Sequence, residues 1–293
     1  MKYLERINNL IKTLPEDIID LSQKRKRSNP PTQAFSEFIT NREQGDWAED
    51  LLFRAIQEVD QGIVPVKYGR TDKIVAGEPG FKEFYNKYQD ELDELGKRPD
   101  LLIFKRNDYN DKWNHDITSL ETETSDRVIP NAIAAFEIRS SAFLVEEYKK
   151  YVVKSVKAKG KRQFLSFTPK VEDIYVIYRW IKRYGVPHFY VQVFFDKVYC
   201  ISFEDILGIV ADEEARNNIF FVEKNAKNQF KSTIHIDIDK GSCLAEKVQL
   251  PEHKSEVKKL ERGRLLFYVT FKGGCTQIDL TSLMRILKME LSS

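Results

Sequence analysis

The sequence predicts an α/β fold, in which a central mixed β-sheet is flanked by helices and followed by a C-terminal α+β extension. Three features of the chain support this. Short apolar runs suited to buried strands, such as Leu101-Leu102-Ile103-Phe104 and Ala132 to Ile138, alternate with segments whose apolar residues recur at helical spacing. The middle of the chain runs strand, strand, helix, helix, strand, an order that implies a mixed sheet with helices packed on it. Beyond residue 205 the pattern changes to short strands and a closing helix. The expected organisation is a core over residues 1–205, with N-terminal helices and loops, and an α+β extension over 206–293, packed together as one compact unit.

Taken in order, Leu4, Ile7, Leu10, Ile11 and Leu14 place an amphipathic helix at the start, ended near Pro15. Asn29-Pro30-Pro31-Thr32 breaks the chain into a loop. The next helix is expected to start near Asp46, with Trp47, Leu51, Leu52, Ala55, Ile56 and Val59 on one face. Gly62, Gly69, Gly77 and Gly80 punctuate a loop-rich passage, and Phe81 to Leu95 reads as a charged helix. After the strand at 101–104, residues 106–130 are polar and aperiodic, a surface excursion before the strand Ala132 to Ile138. From Phe143 a helix carries Leu144, Tyr148, Tyr151, Val152 and Ser155 on one face and lysines on another. Ser166 to Pro169 caps a further helix bearing Ile174, Ile177, Tyr178 and Ile181, ended by Gly185 and Pro187. Phe189–Phe195 and Val198–Ser202 read as strands, as do 219–222, 233–238, 265–271 and 276–280, with a hairpin turn at Gly273-Gly274. Leu283, Ile286, Leu287 and Leu291 form the closing helix.

Composition narrows the function class. No apolar run is long enough to span a bilayer, and the charged N-terminus reads as a helix rather than a signal peptide. Cys200, Cys243 and Cys275 are far apart and not in CxxC spacing, which points to free thiols in a reducing cytoplasm. The four histidines are isolated, which argues against zinc, and no Walker pattern supports ATP-driven movement. The net charge of +2 does not announce a nucleic-acid binder, but its distribution is uneven. Lys24-Arg25-Lys26-Arg27 forms one basic run, and Lys149, Lys150, Lys154, Lys157, Lys159, Lys161 and Arg162 form another.

The chemistry-bearing pattern is Pro99-Asp100 followed by Phe136-Glu137-Ile138-Arg139. Asp100 opens one strand and Glu137 lies near the end of another, so adjacent strands can bring the two carboxylates to one sheet edge. Carboxylates are the ligands that Mg²⁺ takes, and Glu137 and Arg139, two apart in a strand, point to the same side. Each motif alone has a plain structural reading: a turn proline with a capping aspartate, and a strand-end ion pair. Together they resemble the PD-(D/E)xK nuclease pattern, with Arg139 where that pattern has lysine. Arginine stays charged and cannot serve as a general base, so Arg139 is assigned to stabilising phosphate charge. Lys149 and Lys154, on the following helix, are candidates for the lysine's place.

Longer strings sharpen the resemblance. Asn29-Pro30-Pro31-Thr32-Gln33-Ala34, Thr40-Asn41-Arg42-Glu43-Gln44-Gly45-Asp46-Trp47-Ala48-Glu49, Gly96-Lys97-Arg98-Pro99-Asp100-Leu101-Leu102 and Phe136-Glu137-Ile138-Arg139-Ser140-Ser141-Ala142-Phe143 are together similar to the AccI family of type II restriction endonucleases, over about residues 29–205. The resemblance implies a restriction-endonuclease-like core and Mg²⁺-dependent cleavage of double-stranded DNA at a short, partly degenerate palindrome. It further implies action as a homodimer, alongside a cognate DNA methyltransferase that is a functional rather than a physical partner. Asp100, Glu137 and the Ile138 carbonyl are then expected to hold the metal, with Glu49 assisting. An exposed acid in the first turn of a helix is the alternative for Glu49.

The expected DNA contacts are Lys24, Arg25, Arg27, Arg42, Arg70, Arg98, Ser140, Ser141, Lys154, Lys157, Lys161 and Arg162. Gln33, Asn41, Lys67 and Lys97 are also chemically eligible to read bases. Two other readings stay open: a structure-specific or repair nuclease on the same fold, and a DNA-binding protein whose catalytic site has decayed. The extra sequence at 62–98 and 210–293 counts against the first, and the intact Asp100 and Glu137 count against the second.

Overall fold

In the computed structural model, which describes residues 2–21, 25–59, 61–154, 164–224 and 231–289, the N-terminal apolar spacing winds α1 (Tyr3–Ile11) and buries Ile7. The second helix, α2 (Ser36–Gln57), starts ten residues before the expected Asp46. Its first turns carry no helical signal because Thr40 to Asp46 is polar and contains Gly45. Several of those polar side chains line a cleft, and Ile39 continues the buried stripe of Trp47, Leu51 and Ile56 upstream. The loop-rich passage after α2 contains a strand, β1 (Ile63–Lys67). Pro65 disguises it, and is tolerated because β1 is an edge strand whose outer side is paired only by the Lys67–Asp116 bridge.

Next come α3 (Phe81–Glu94) and β2 (Leu101–Lys105) as the sequence predicts. The passage expected to be a plain surface excursion carries a short helix, α4 (Thr122–Val128), and buries Ile117 and Ile129. The chain continues through β3 (Ala134–Ser140), α5 (Val145–Lys154), β4 (Ser166–Phe167), α6 (Val171–Tyr184), β5 (His188–Val193) and β6 (Val198–Ser202). A helix absent from the sequence reading, α7 (Phe203–Ala211), starts at Ser202, whose Oγ accepts from the Asp205 N–H. The C-terminal third adds β7 (Phe220–Lys224), β8 (Ser232–Asp237), β9 (Ser242–Ala245), β10 (Glu252–Lys259), β11 (Leu265–Lys272) and α8 (Leu280–Leu287). The sequence pattern does not mark β9 and β10. The strand expected at 276–280 reduces to one bridge, Thr276 with Val248, before Asp279 caps α8. Among the described residues no helix is long and apolar enough to cross a membrane.

The central sheet is mixed, in the order β1-β2-β3-β5-β6-β9, with β3 and β5 parallel and the other neighbours antiparallel. Strand alternation divides its side chains between two cores. Leu102, Phe104, Ala135 and Tyr190 pack with Ile7, with Ile177 and Trp180 of α6, and with Ile206 and Leu207 of α7. On the opposite face Leu101, Ile103, Phe136, Ile138 and Val191 pack with Trp47, Leu51 and Leu52 of α2 and Leu283 of α8. The C-terminal residues thus supply an edge strand and a covering helix to this sheet. The β10–β11 hairpin lies along α2, where the Val269 N–H donates to Thr40 Oγ1 at 3.2 Å and Trp47 Nε1–H to the Gly273 carbonyl at 3.0 Å.

Two features shape the cleft beside α2. β2 pairs with β3 only over Leu101–Ile103, so the strands part at Asp100 and Glu137. The segment entering β2 is also clamped to α6. Gly96 has φ +90°, a backbone conformation that suits glycine, and the Lys97 N–H donates to the Val176 carbonyl at 3.1 Å. A Cβ on Gly96 would collide with the backbone of Val176 and Trp180. Gly96→Ala is therefore expected to lower stability by roughly 2–5 kcal/mol, combining backbone strain with overpacking. Denaturant unfolding checks this, and an unchanged midpoint would show that the clamp is loose.

Candidate active site

Asp100 is placed by the fork between β2 and β3. Its N–H donates to the Phe136 carbonyl at 2.9 Å, and its carbonyl accepts from the N–H groups of Tyr68 and Gly69. Its carboxylate Oδ2 takes the Ile138 N–H at 2.6 Å, a donor that β2 leaves behind as it diverges. Gly69 backs this arrangement, since a Cβ there would stand 3.0 Å from Asp100 Cα and 3.2 Å from Oδ1. Glu137, on β3, is 2% exposed and lies in register with Tyr190 of β5. Arg139 shares its side of the strand, as the spacing of two requires.

Two residues complete the group. Lys97, in the segment before β2, contacts Glu137 Oε1 with its ammonium and reaches Asp173 Oδ2 at 3.3 Å. Asp173 sits in the first turn of α6, beside the positive end of the helix. Arg139 Nη2 bridges the same two acceptors, at 2.9 Å from Glu137 Oε1 and 2.5 Å from Asp173 Oδ2. Two cations and two anions therefore interlock, while Glu137 Oε2 is buried without a hydrogen-bond partner.

Lys97, Glu137 and Arg139 of this cluster line a cleft of about 550 Å³. α2 contributes Asn41, Arg42, Gln44, Gly45, Asp46 and Glu49 to one wall. Lys97, Asp100, Glu137, Ile138, Arg139 and Ser140 line the floor, and Thr168 and the exposed Lys170 stand opposite.

The electrostatics divide the acids. Burial, followed by the charge of Glu137, pushes the Asp100 carboxyl up to about 7. Burial, followed by the charges of Asp100, Asp46 and Glu137, pushes Glu49 up to about 9. Asp173 moves the other way: burial would raise it, but Lys97, Arg139 and Lys170 outweigh that and hold it well below the usual carboxylate range. Burial and Arg139 would lower Lys97, yet Asp173 and Glu137 keep it above the ordinary lysine range, so it is an ammonium. The cleft thus has carboxylates crowded against one another on the Asp100 side and neutralised by cations on the Asp173 side.

Crowded carboxylates with an unsatisfied buried oxygen suit a hard divalent cation, which would favour their ionised forms. Among the described residues no three His, Cys, Asp or Glu side chains are gathered into a ready-made metal cage. Mg²⁺ does not require one, because it is commonly bound by one or two carboxylates together with water and substrate phosphates. The donor set of Asp100, Glu137 Oε2 and the Ile138 carbonyl, with Glu49 nearby, fits such an ion.

Of the other residues singled out from sequence, Arg42 and Ser140 line the cleft, and Ser141 follows, its N–H donating to the Val193 carbonyl. Arg42 also donates to the Lys73 carbonyl at 2.9 Å. Arg25 and Arg27 are tied to α3 through Asp93 and Asp90. Arg70 and Arg98 both pair with Glu91, in a separate depression of about 230 Å³. Lys24, Lys157, Lys161 and Arg162 lie outside the described residues, as does the side chain of Lys154. The Lys149 ammonium pairs with Asp239 at 2.9 Å, and Lys149 is not among the residues that line the cleft.

Sequence reasoning marks Lys97 only as a possible base reader and does not mark Asp173. The string Gly96-Lys97-Arg98-Pro99-Asp100 holds the clue for Lys97, three residues before Asp100. Nothing local distinguishes Asp173 from an ordinary acid in the first turn of a helix.

A family model described as AccI restriction endonuclease matches residues 1–155 and 150–293, which together cover the chain. No curated protein and no solved structure matches it.

The raised acids make the metal-free protein sensitive to pH. A carboxyl whose folded pKa exceeds its unfolded one adds stability that is complete below pH ~4 and is lost as the pH climbs through the folded value. That window closes near pH 7 for Asp100 and near pH 9 for Glu49. In EDTA the native protein should therefore lose stability between about pH 5 and pH 9 relative to Asp100→Asn/Glu49→Gln, by roughly 1–3 kcal/mol, several degrees in Tm. Parallel Tm curves for the two proteins would show that the carboxylates are not crowded.

Proposed function

Because this chain belongs to the AccI restriction endonuclease family, and is thus a type II site-specific DNA endonuclease, we propose that it cuts each strand at the fork between β2 and β3 with Mg²⁺ held by Asp100 and Glu137. The observation that carries this is the convergence of the two carboxylates at the fork, with Glu137 Oε2 unpartnered and Asp100 anchored by the Ile138 N–H. Mg²⁺, when bound, would polarise the scissile phosphate and the attacking water and offset charge on the leaving oxygen.

The chain's own groups do the rest. The Ile138 N–H fixes Asp100 Oδ2 and so holds the orientation of the carboxyl, with Gly69 behind its Oδ1. The Ile138 carbonyl is the third candidate ligand. Glu49, whose carboxyl burial and the charges of Asp100, Asp46 and Glu137 push up to about 9, would assist from the α2 wall in its ionised form, its proton passing to solvent. Arg139 keeps its charge at any working pH and stabilises the phosphate. Arg42, Ser140 and the exposed Lys170 flank the path of the DNA backbone along the cleft. Duplex DNA cut in both strands at a short, partly degenerate palindrome calls for two such sites related by a twofold axis, hence a homodimer. A cognate methyltransferase would protect the host's own sites.

Incubation with a long DNA of known sequence tests this. Discrete fragments are expected with Mg²⁺ and none with EDTA. Asp100→Asn and Glu137→Gln should each slow cleavage by about 10³-fold or more, on the scale of losing one charge-stabilising group from a preorganised site. Mg²⁺ should also raise Tm more at about pH 8 than at about pH 6, since it binds ionised carboxylates. DNA bound but uncut by the native protein in Mg²⁺ would sink the proposal, as would cutting directed by branches or nicks rather than by sequence.

A further inference from the structure

We propose that Lys97 is the lysine missing from the strand motif, relocated to the segment before β2, and that it contacts the scissile phosphate while Asp173 acts as its positioning residue. The inference rests on the cleft being the DNA-cleaving site, and adds to it two residues that neither the motif nor the family match assigns. Three observations support it. Lys97 lines the cleft beside Asp100 and Glu137, and its ammonium shares the acceptors Glu137 Oε1 and Asp173 Oδ2 with Arg139, the residue at the strand-motif position. Its ammonium reaches Glu137 Oε1 and Asp173 Oδ2, which use two of its three N–H donors and leave the third for substrate. Its backbone is held to α6 through the Val176 carbonyl, the same helix that carries Asp173, so the side chain enters from a fixed base.

Arg139 fills the strand position that Lys97 replaces. Its Nη2 pairs with Glu137 and Asp173 and braces the arrangement, in addition to the charge it offers the phosphate. Lys97 therefore acts through charge and hydrogen bonding. Phosphodiester hydrolysis needs no proton from it, and with Asp173 and Glu137 beside it the ammonium stays charged.

Single-turnover cleavage of a duplex containing the recognition site, at saturating protein and Mg²⁺, tests the relocation. Lys97→Met should slow cleavage by at least ~10³-fold while duplex binding in Ca²⁺, read by mobility shift, changes by less than ~10-fold. Asp173→Asn should lower the rate by ~10–100-fold, the range for residues that orient a functional group. The distinguishing variant is Lys97→Met/Arg139→Lys, which puts a lysine back at the strand position. It should cut at least ~10-fold faster than Lys97→Met alone, which a purely structural role for Lys97 does not allow.

The inference is overturned if Lys97→Met cuts within ~3-fold of the native protein, or if the double variant is no faster than Lys97→Met. It is also overturned if the rate loss in Lys97→Met is matched by unfolding, read as Tm at the assay pH. If the native protein itself does not cut, the reading of the cleft fails, a result separate from all three.

Discussion

Four charges locked together below the fork of β2 and β3 are the constraint on which the site depends. Lys97, Glu137, Arg139 and Asp173 come from the pre-β2 segment, from β3 twice and from α6, and each pairs with both opposite charges. Taking four ions out of water costs several kcal/mol for each, and a well-packed apolar set of the same volume is often the more stable solution. Breaking the set by removing one member leaves an uncompensated charge, so its members are interdependent. A network that stability alone does not demand, at the floor of a cleft, is what a site built to meet a polyanion needs.

The geometry of the sheet supplies the other half. β2 leaves β3 after three residue pairs, and Asp100 covers the break by accepting the Ile138 N–H with its side chain. A strand that paired further would have satisfied Ile138 through backbone and closed the cleft. Beside the break, Glu137 Oε2 is buried without a hydrogen-bond partner. Repulsion among Asp100, Glu137 and Glu49 stands next to the attraction around Asp173, so the cleft sets crowded acids beside a charge-balanced group that contains Lys97 and Arg139. The first suits a divalent cation and the second a phosphate.

Much of this is legible in the sequence, for reasons that can be stated. β2, β3, α3, α6, β5 and β6 are marked by periodicity and by flanking breakers, and Asp100 and Glu137 by their place at strand ends. α2 reads too short because its polar opening turns face the cleft rather than the core. β1 is hidden because Pro65 sits in an edge strand, where a missing N–H costs little. β9 and β10 are short or half exposed, and carry no clear alternation. Lys97 and Asp173 escape because their meeting depends on α6 packing against the pre-β2 segment, a contact between residues 76 apart in sequence. The motif pattern also directs attention to position 139, where the strand carries arginine.

Everything proposed for the cleft turns on Asp100 and Glu137 sharing one divalent cation at the fork. Anomalous diffraction from crystals of the protein with duplex DNA and Mn²⁺, a scatterer that accepts the same oxygen ligands as Mg²⁺, tests it most directly. A shared ion should give a peak between the Asp100 carboxylate and Glu137 Oε2, within reach of the Ile138 carbonyl. Ordered DNA in the cleft with no peak at the fork, or with the only peak elsewhere, would contradict it.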